Sequence, residues 1–287
     1  MELLITDKYL KTFTDGKNVK EGIKYKDPTN DEELMTFLFA NALREDPSLI
    51  NHKRLVHPDF DHNINNSRIV LEGQPIPPRG GTKGDSESNT KLDLSLGNIK
   101  RRQNTDLGIE FDQSDDSWVC FVEAKYYSDI STKTEKDPFR NQMARVIENL
   151  ATFQSNNAFP EHIYFTLLVP RVFLNHFNSR LYGYKFKEYS NDVSKLIQDI
   201  QLARVPRRNE KDWKYPQDIE FRLRKLKFNL CSYEDLLSSF FKIDHLDITN
   251  KDHIESIRKI IPDLKFIMSS VTKDNSTLND NFKIIVR

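Results

Sequence analysis

The sequence predicts an α/β protein, with a mixed central sheet flanked by helices and a mostly helical C-terminal extension. Two mostly apolar runs, residues 118–122 and 162–170, have the length and the β-branched and aromatic composition of buried strands. Between them, apolar residues from Phe139 to Phe153 recur at helical spacing after an Asp-Pro start signal. A strand, a helix and a second strand in this order form a crossover unit, which places the two strands parallel in one sheet.

The first helix is predicted from residue 30 onward. Asn30 and Glu33 have the spacing of a capping box, and the apolar residues that follow recur at helical intervals. Two further strand-like runs, at residues 67–72 and 92–96, are separated by a loop rich in Pro, Gly and Ser over residues 75–90. Either run could supply the first strand of the core.

The last third of the chain is predicted to be mostly helical. Its helical segments are residues 191–203, 218–226, 233–241 and 253–261. We therefore divide the chain into an N-terminal segment (1–29), a core (30–170) and a helical extension packed on that core (171–287).

Composition narrows the class of protein. The 287 residues carry equal numbers of acidic and basic side chains, so a nucleic-acid partner requires local charge segregation rather than a basic chain. Cys120 and Cys231 are the only cysteines, which excludes a disulfide framework and favours a reducing compartment. The chain shows no signal-peptide pattern and no apolar run of membrane-spanning length. These features predict a soluble, cytoplasmic protein without a membrane partner.

Three charged residues lie at the ends of two otherwise apolar runs. Asp106 precedes residues 107–109, and Glu123 and Lys125 close the run at 118–122. Residues two apart in a strand share a face, so Glu123 and Lys125 point the same way. One carboxylate from each run can bind a hard cation such as Mg²⁺, with Mn²⁺ as an alternative. The lysine beside them can orient or deprotonate water, or stabilise charge on a transferred phosphate.

This pattern resembles that of the PD-(D/E)xK nuclease superfamily, which includes restriction endonucleases and RecB-like nucleases. In that family a carboxylate opens one strand and Glu-x-Lys closes the next, and Asp106, Glu123 and Lys125 match these positions. Thr105 stands in place of the frequent proline. The resemblance covers residues 30–170 and implies a restriction-endonuclease-like core of order αβββαβ. It further implies phosphodiester hydrolysis, with Asp106 and Glu123 as metal ligands and Lys125 as a catalytic residue.

Two further catalytic candidates follow from the resemblance. Family members often carry an acidic residue on the helix before the sheet, and Glu33 is the candidate because it borders the apolar stripe. RecB-like members carry a glutamine on the helix after Glu-x-Lys, and Gln142 resembles it, although Val146 stands where a tyrosine is expected. Helix capping by Glu33 and packing of Gln142 at the core edge are equally compatible with the sequence.

Alternatives remain for the central motif. Asp93, in the run at 92–96, competes with Asp106 as the first carboxylate, and Asp106 is preferred because its spacing is closer to the family pattern. The simplest alternative is an ordinary hairpin with a turn at residues 113–117, whose end charges are merely solvated.

Basic residues provide candidate nucleic-acid contacts. Arg101 and Arg102 shortly precede Asp106, and a later segment combines cations with aromatic rings that can stack on bases. A run at residues 180–187 has the same character. An ordinary solvated surface is the alternative for each, and no base-reading motif is recognisable. The candidates in the later segment are Arg204, Arg207, Arg208, Lys211 and Trp213.

A segment rich in His and Asp, residues 57–62, offers ligand types suited to zinc or manganese. Consecutive loop residues rarely complete a coordination sphere, and no distant pair of Cys or His is recognisable, so a structural loop is predicted. The sequence also lacks a Gly-x-Ser-x-Gly motif and a phosphate-binding glycine loop, so ATP hydrolysis would need a partner.

The combined hypothesis is a Mg²⁺-dependent endonuclease that acts on DNA, and the superfamily suggests a setting in restriction or antiviral defence. A homo-oligomer or a partner protein is expected to direct it, because no separate reader domain is recognisable. Two alternatives stay open. One is a catalytically inactive nuclease-fold module that binds nucleic acid or acts as a scaffold, and the other is a nuclease that acts on RNA.

Overall fold

The computed structural model describes residues 1–6, 32–80, 90–133, 137–260 and 282–284. Its main element is a seven-stranded mixed sheet with helices on both faces. Across the sheet the strands are β11 (Phe282–Ile284), β1 (Glu2–Thr6), β2 (Arg68–Leu71), β3 (Leu94–Gly97), β6 (Trp118–Ala124), β7 (His162–Val169) and β10 (Lys227–Ser232).

Two small two-stranded sheets and a series of helices complete the described fold. The small sheets pair β4 (Ile99–Arg101) with β5 (Ile109–Phe111) and β8 (Asn209–Glu210) with β9 (Trp213–Lys214). A single 3₁₀ turn spans Phe177–Ser179. The helices are α1 (Glu32–Glu45), α2 (Leu49–His52), α3 (Gln142–Ala151), α4 (Arg171–Asn175), α5 (Leu181–Asn191), α6 (Val193–Gln201), α7 (Ile219–Lys225), α8 (Tyr233–Phe241) and α9 (Lys251–Ile260).

Strand directions confirm the α/β class and the mixed sheet. β2, β3 and β6 form an antiparallel series, whereas β6, β7 and β10 run parallel. The crossover from β6 through α3 to β7 is therefore present as predicted. From α1 to β7 the main elements follow the order αβββαβ, with the short α2 and the β4–β5 hairpin as additions.

β6 lies at the centre of the molecule, and its alternate side chains enter two separate hydrophobic cores. Cys120 and Val122 belong to the core beneath α1 and α8, whereas Val119 and Phe121 belong to the core beneath α3 and α5. Every residue of β6 is buried. Burying each large apolar side chain contributes about 1.5–3 kcal/mol, so β6 is firmly anchored in the sheet. Glu123 is the one charged residue in this strand.

The described residues add two strands to the expected domain division. Residues 1–6 contain β1, which lies parallel to β2 within the sheet and buries Leu3 and Leu4. The described part of residues 171–287 is mostly helical and also contains β10, which pairs in parallel with β7. The predicted helix at 233–241 agrees with α8, and the expected cap Asn30 lies outside the described residues.

The predicted hairpin between residues 107 and 122 does not form. β5 pairs with β4 in the small sheet, and the neighbour of β6 is β3. The connection after β5 therefore leads from the small sheet into the central sheet instead of closing a tight turn. This difference in pairing decides which acidic residue comes to the end of β6.

Candidate active site

Four charged residues converge at the carboxyl end of β6. The Lys125 ammonium lies 2.9 Å from Oε1 of Glu123 and 3.4 Å from Oε1 of Glu32. Its distance to Oδ2 of Asp93 is 3.7 Å. We call Glu32, Asp93, Glu123 and Lys125 the acidic cluster.

The sheet determines most of this arrangement. Glu123 and Lys125 are two residues apart, and the Lys125 N–H donates to the Leu168 carbonyl of β7 at 2.9 Å, which continues the strand ladder. Because β3 runs antiparallel to β6, the residues that enter β3 lie beside the residues that leave β6. Asp93 immediately precedes β3, and its Oδ2 accepts a hydrogen bond of 2.8 Å from the Ala124 N–H.

Glu32, the first residue of α1, joins the cluster from the helical layer. Its Oε2 accepts hydrogen bonds from the Tyr126 N–H at 2.8 Å and from the Ser128 hydroxyl at 2.7 Å. These bonds tie the start of α1 to the segment that follows β6. They leave Oε1 directed at Lys125, so Glu32 supports the lysine and also orders the adjacent chain.

The charges in the cluster do not balance. Three carboxylates against one ammonium leave two formal negative charges when all groups are ionised. Burial raises the pKa of Asp93 to about 8, with Glu123 acting in the same direction and Lys125 against it. Burial also raises the pKa of Glu123, against the attraction of Lys125. Burial by itself lowers the pKa of Lys125, but the carboxylates, led by Glu123, raise it well above its ordinary value.

Glu123 is fully buried and is poorly supplied with hydrogen bonds. Apart from the ammonium contact at Oε1, no donor in the described part of the chain hydrogen-bonds either carboxylate oxygen. An unsatisfied buried acceptor costs about 1–3 kcal/mol, and more when it is charged. A divalent cation held by Glu123 and Asp93 would supply the missing partner and neutralise the surplus charge. The residues present therefore fit Mg²⁺ or Mn²⁺, which prefer carboxylate oxygens.

The structure places Asp106 outside the acidic cluster. Asp106 is exposed in the turn between β4 and β5, and the ion pairs of Lys125 go to Glu32, Asp93 and Glu123 instead. Asp93, the rival carboxylate, takes the position expected of Asp106. The physical reason is the strand pairing, because β5 belongs to the small sheet and does not run beside β6.

The structure brings Glu32 rather than Glu33 into the cluster. Glu33 is exposed on α1. The two could not be separated by periodicity, because α1 is buried on all sides from Leu34 to Leu43 and has no single apolar stripe. The contacts of Glu32 with Tyr126 and Lys125 depend on tertiary packing alone.

Gln142 begins α3 and fixes the connection that precedes it. Its Oε1 accepts from the Ser131 N–H at 3.2 Å, and its own N–H donates to the Ser131 carbonyl at 2.8 Å. Arg145, one turn further along α3, is buried, and its charge opposes the rise that burial causes in the pKa of Glu123. Arg145 is the residue of this helix that sequence reasoning missed, since a buried arginine on an apolar helix face has no recognisable pattern.

The basic residues divide into buried and exposed groups. Arg208 and Trp213 are buried, and the Arg208 guanidinium donates to the Pro77 carbonyl at 2.9 Å and pairs with Glu210. These two residues hold the segment in place and are not available to a partner. The pKa of Arg102 is lowered by burial, while Glu110 acts against that effect.

Three of the candidate nucleic-acid contacts remain exposed, namely Arg204, Arg207 and Lys211. The Arg204 guanidinium lies 4.3 Å from the centroid of the Phe139 ring, and that of Arg207 lies 4.5 Å from the centroid of Tyr215. Arg101, partly exposed at the end of β4, donates to the Thr105 carbonyl at 3.1 Å. The exposed arginines therefore rest on aromatic rings that hold them extended over the surface.

Comparisons with family models, with curated proteins and with solved structures find no match for this chain. Among the described helices, none has both the length and the apolar character needed to cross a membrane. Functional inference therefore depends on the geometry and charge of the acidic cluster.

Proposed function

We propose that the chain is a divalent-metal-dependent nuclease that hydrolyses phosphodiester bonds. DNA is the proposed substrate, and RNA is the alternative. The observation that carries the proposal is the convergence of three carboxylates on one ammonium at the end of β6, where Oε2 of the buried Glu123 has no hydrogen-bond donor in the described part of the chain. Buried carboxylates placed this close together destabilise the folded chain unless a bound cation offsets their repulsion.

The order of elements supports the nuclease interpretation. Asp93 stands before the second strand and Glu123-Ala124-Lys125 closes the third strand of an αβββαβ series. The PD-(D/E)xK pattern has a carboxylate and Glu-x-Lys at the corresponding positions. It often has an acidic residue on the first helix, where Glu32 lies. We propose that residues 32–169 are a restriction-endonuclease-like core on this basis.

Each residue of the acidic cluster has a separate part in the proposed chemistry. Asp93 and Glu123 would hold Mg²⁺ or Mn²⁺, which would supply Lewis-acid stabilisation of the charge that develops on the phosphate. Lys125, surrounded by carboxylates, keeps its proton and would orient water or stabilise phosphate charge as a cation rather than act as a base. Glu32 holds Lys125 and the segment after β6 in position.

A substrate panel tests the proposal. Single- and double-stranded DNA and RNA are incubated with the chain in Mg²⁺, in Mn²⁺ and in EDTA. We expect cleavage of DNA in either metal, none in EDTA, and none by Lys125→Ala at any metal concentration. Cleavage of RNA but not of DNA would keep the proposed chemistry and make RNA the substrate. The proposed defence setting and directing partner are not tested by this panel. Failure of every substrate, or cleavage that persists in Lys125→Ala, would contradict the proposed active site.

A further inference from the structure

At the amino end of β6, far along the strand from the acidic cluster, three potential metal ligands converge from separate segments. Oδ1 of Asp116 lies 2.9 Å from Nδ1 of His62 and 3.8 Å from Nε2 of His162. One ligand atom from each residue lies within 4.8 Å of the other two. Ligand atoms around a tetrahedral zinc ion are separated by about 3.3–3.6 Å, given bonds of about 2.0–2.2 Å. Side-chain movements of about 1 Å would therefore close the site.

His62 is held in position by groups on its far side. Its Nε2 lies 2.8 Å from the Tyr164 hydroxyl, and its ring packs edge-on against Phe60 with centroids 5.2 Å apart. Burial raises the pKa of Tyr164 to about 12, and its neutral hydroxyl can accept a hydrogen bond from the Nε2–H. A metal-bound imidazole commonly donates its second N–H in this way, which would direct Nδ1, now 2.9 Å from Oδ1 of Asp116, at the cation.

His162 completes the group from the first position of β7. Its ring centroid is 4.4 Å from that of His62, and its side chain is 44% exposed. Burial of its inner side and the neighbouring His62 both lower its pKa, while Asp116 acts against them. Two adjacent imidazoles and one carboxylate are ligands typical of zinc and similar transition cations rather than of magnesium.

We propose that His62, Asp116 and His162 form a second metal site, which binds Zn²⁺ or a similar borderline cation and leaves the remaining coordination to water. Bound there, the cation fastens the segment that precedes β2 to the turn before β6 and to the start of β7. The site is separate from the acidic cluster and does not depend on the proposed nuclease function.

Calorimetric titration with Zn²⁺, in the presence of excess Mg²⁺, tests this proposal on the full chain. We expect one Zn²⁺ per chain. His162→Ala and Asp116→Asn, both at exposed positions, should each weaken binding at least tenfold, as the loss of one ligand from a three-residue site requires. Tyr164→Phe should weaken it by about 10- to 100-fold, because it removes only the bond that orients His62.

Two control variants make the outcome specific. His57→Ala removes a neighbouring histidine that pairs with Asp59, and Glu123→Gln alters the acidic cluster. Both should bind Zn²⁺ with the affinity of the unmodified chain. Thermal unfolding should agree, since Zn²⁺ raises the melting temperature only where it binds the folded chain. The proposal is overturned if His162→Ala binds Zn²⁺ as tightly as the unmodified chain, or if His57→Ala loses binding equally.

Discussion

Glu148 and Glu123 are both completely buried carboxylates, but their surroundings differ in one decisive respect. Glu148, on α3, accepts hydrogen bonds from Arg79 at 3.0 and 3.1 Å and from the Tyr215 hydroxyl at 2.6 Å, and it pairs with Arg140. Among the described residues, Glu123 forms its ion pair with the Lys125 ammonium, which it shares with two other carboxylates.

The ionic group around Glu148 has equal numbers of acidic and basic side chains, whereas the acidic cluster around Glu123 has more acidic ones. Arg79 and Arg140 face Glu148 and Asp137, so charges cancel and the carboxylate oxygens of Glu148 are satisfied. A buried group of this kind fixes the packing of α3 against its neighbours. The acidic cluster keeps surplus negative charge and an unsatisfied acceptor, which favours a site kept for a ligand over one kept for stability. Burial alone therefore does not distinguish a structural carboxylate from a functional one.

The largest expected effect is a difference in the free energy of unfolding between variants of Glu148 and of Glu123. Glu148→Gln breaks a buried ion pair and leaves arginine charge uncompensated, which should lower the free energy of unfolding by about 3–5 kcal/mol. Glu123→Gln, measured in EDTA, removes one carboxylate from the acidic cluster, in which carboxylates outnumber the ammonium. The free energy of unfolding should therefore stay unchanged or rise. Denaturant unfolding of both variants measures the difference, and equal destabilisation would show that Glu123 is as structural as Glu148.

The next effect concerns cleavage and the choice between two aspartates. Asp93→Asn keeps the shape of the side chain but removes a charged ligand, so the cleavage rate should fall by about 10²- to 10³-fold or more, the size expected for one electrostatic group. Asp106→Asn, at an exposed position outside the cluster, should cut as fast as the unmodified chain. Rates on one DNA substrate in Mg²⁺ measure both. The reverse ranking would restore Asp106 as the ligand.

The sequence predicted only those residues of the acidic cluster that belong to one strand and its immediate continuation. Glu123 and Lys125 follow from alternation within β6, which is local. Asp93 could not be chosen over Asp106, because residues 92–96 and 107–111 both alternate as strands and only long-range pairing selects β3 as the neighbour of β6.

The remaining residues depend on tertiary packing in the same way. Glu32 and Glu33 are indistinguishable on a helix that is buried on all sides. His62 was predicted to lie in a structural loop, because nothing in the sequence indicates that Asp116 and His162 approach it. The α/β class and the β6–α3–β7 crossover were predictable, since strand-length apolar runs and a clean helical stripe are local signals.

A graded effect should appear with pH. The pKa of Asp93 is about 8 in the folded chain and ordinarily 3.8, so between these values the folded chain holds a proton that the unfolded chain has lost. The metal-free chain should therefore lose stability as pH rises over that interval. Because a cation displaces the same proton, affinity for Mg²⁺ should increase with pH and level off above about 8. Unfolding in EDTA and Mg²⁺ titrations across this range should show both trends, and Asp93→Asn should weaken both, leaving the contribution of Glu123.

The smallest effect is expected on the exposed basic surface. Arg207→Ala removes one exposed guanidinium, so DNA affinity should fall modestly at every sequence and the slope of log affinity against log salt should decrease by about one. Arg208→Ala removes a buried guanidinium and should lower stability while leaving the salt slope unchanged. Binding isotherms over a range of salt, in EDTA to prevent cleavage, measure the slope. An unchanged slope in Arg207→Ala would exclude this surface.

The most direct test of the account is a Mn²⁺ titration of the folded chain followed by electron paramagnetic resonance of the free ion. We expect the unmodified chain and Asp106→Asn to bind Mn²⁺ alike, and Glu123→Gln and Asp93→Asn to lose this binding, when one equivalent of Zn²⁺ per chain fills the histidine site. Mn²⁺ binding that survives in both Glu123→Gln and Asp93→Asn would contradict the claim that the carboxyl end of β6 is a metal centre.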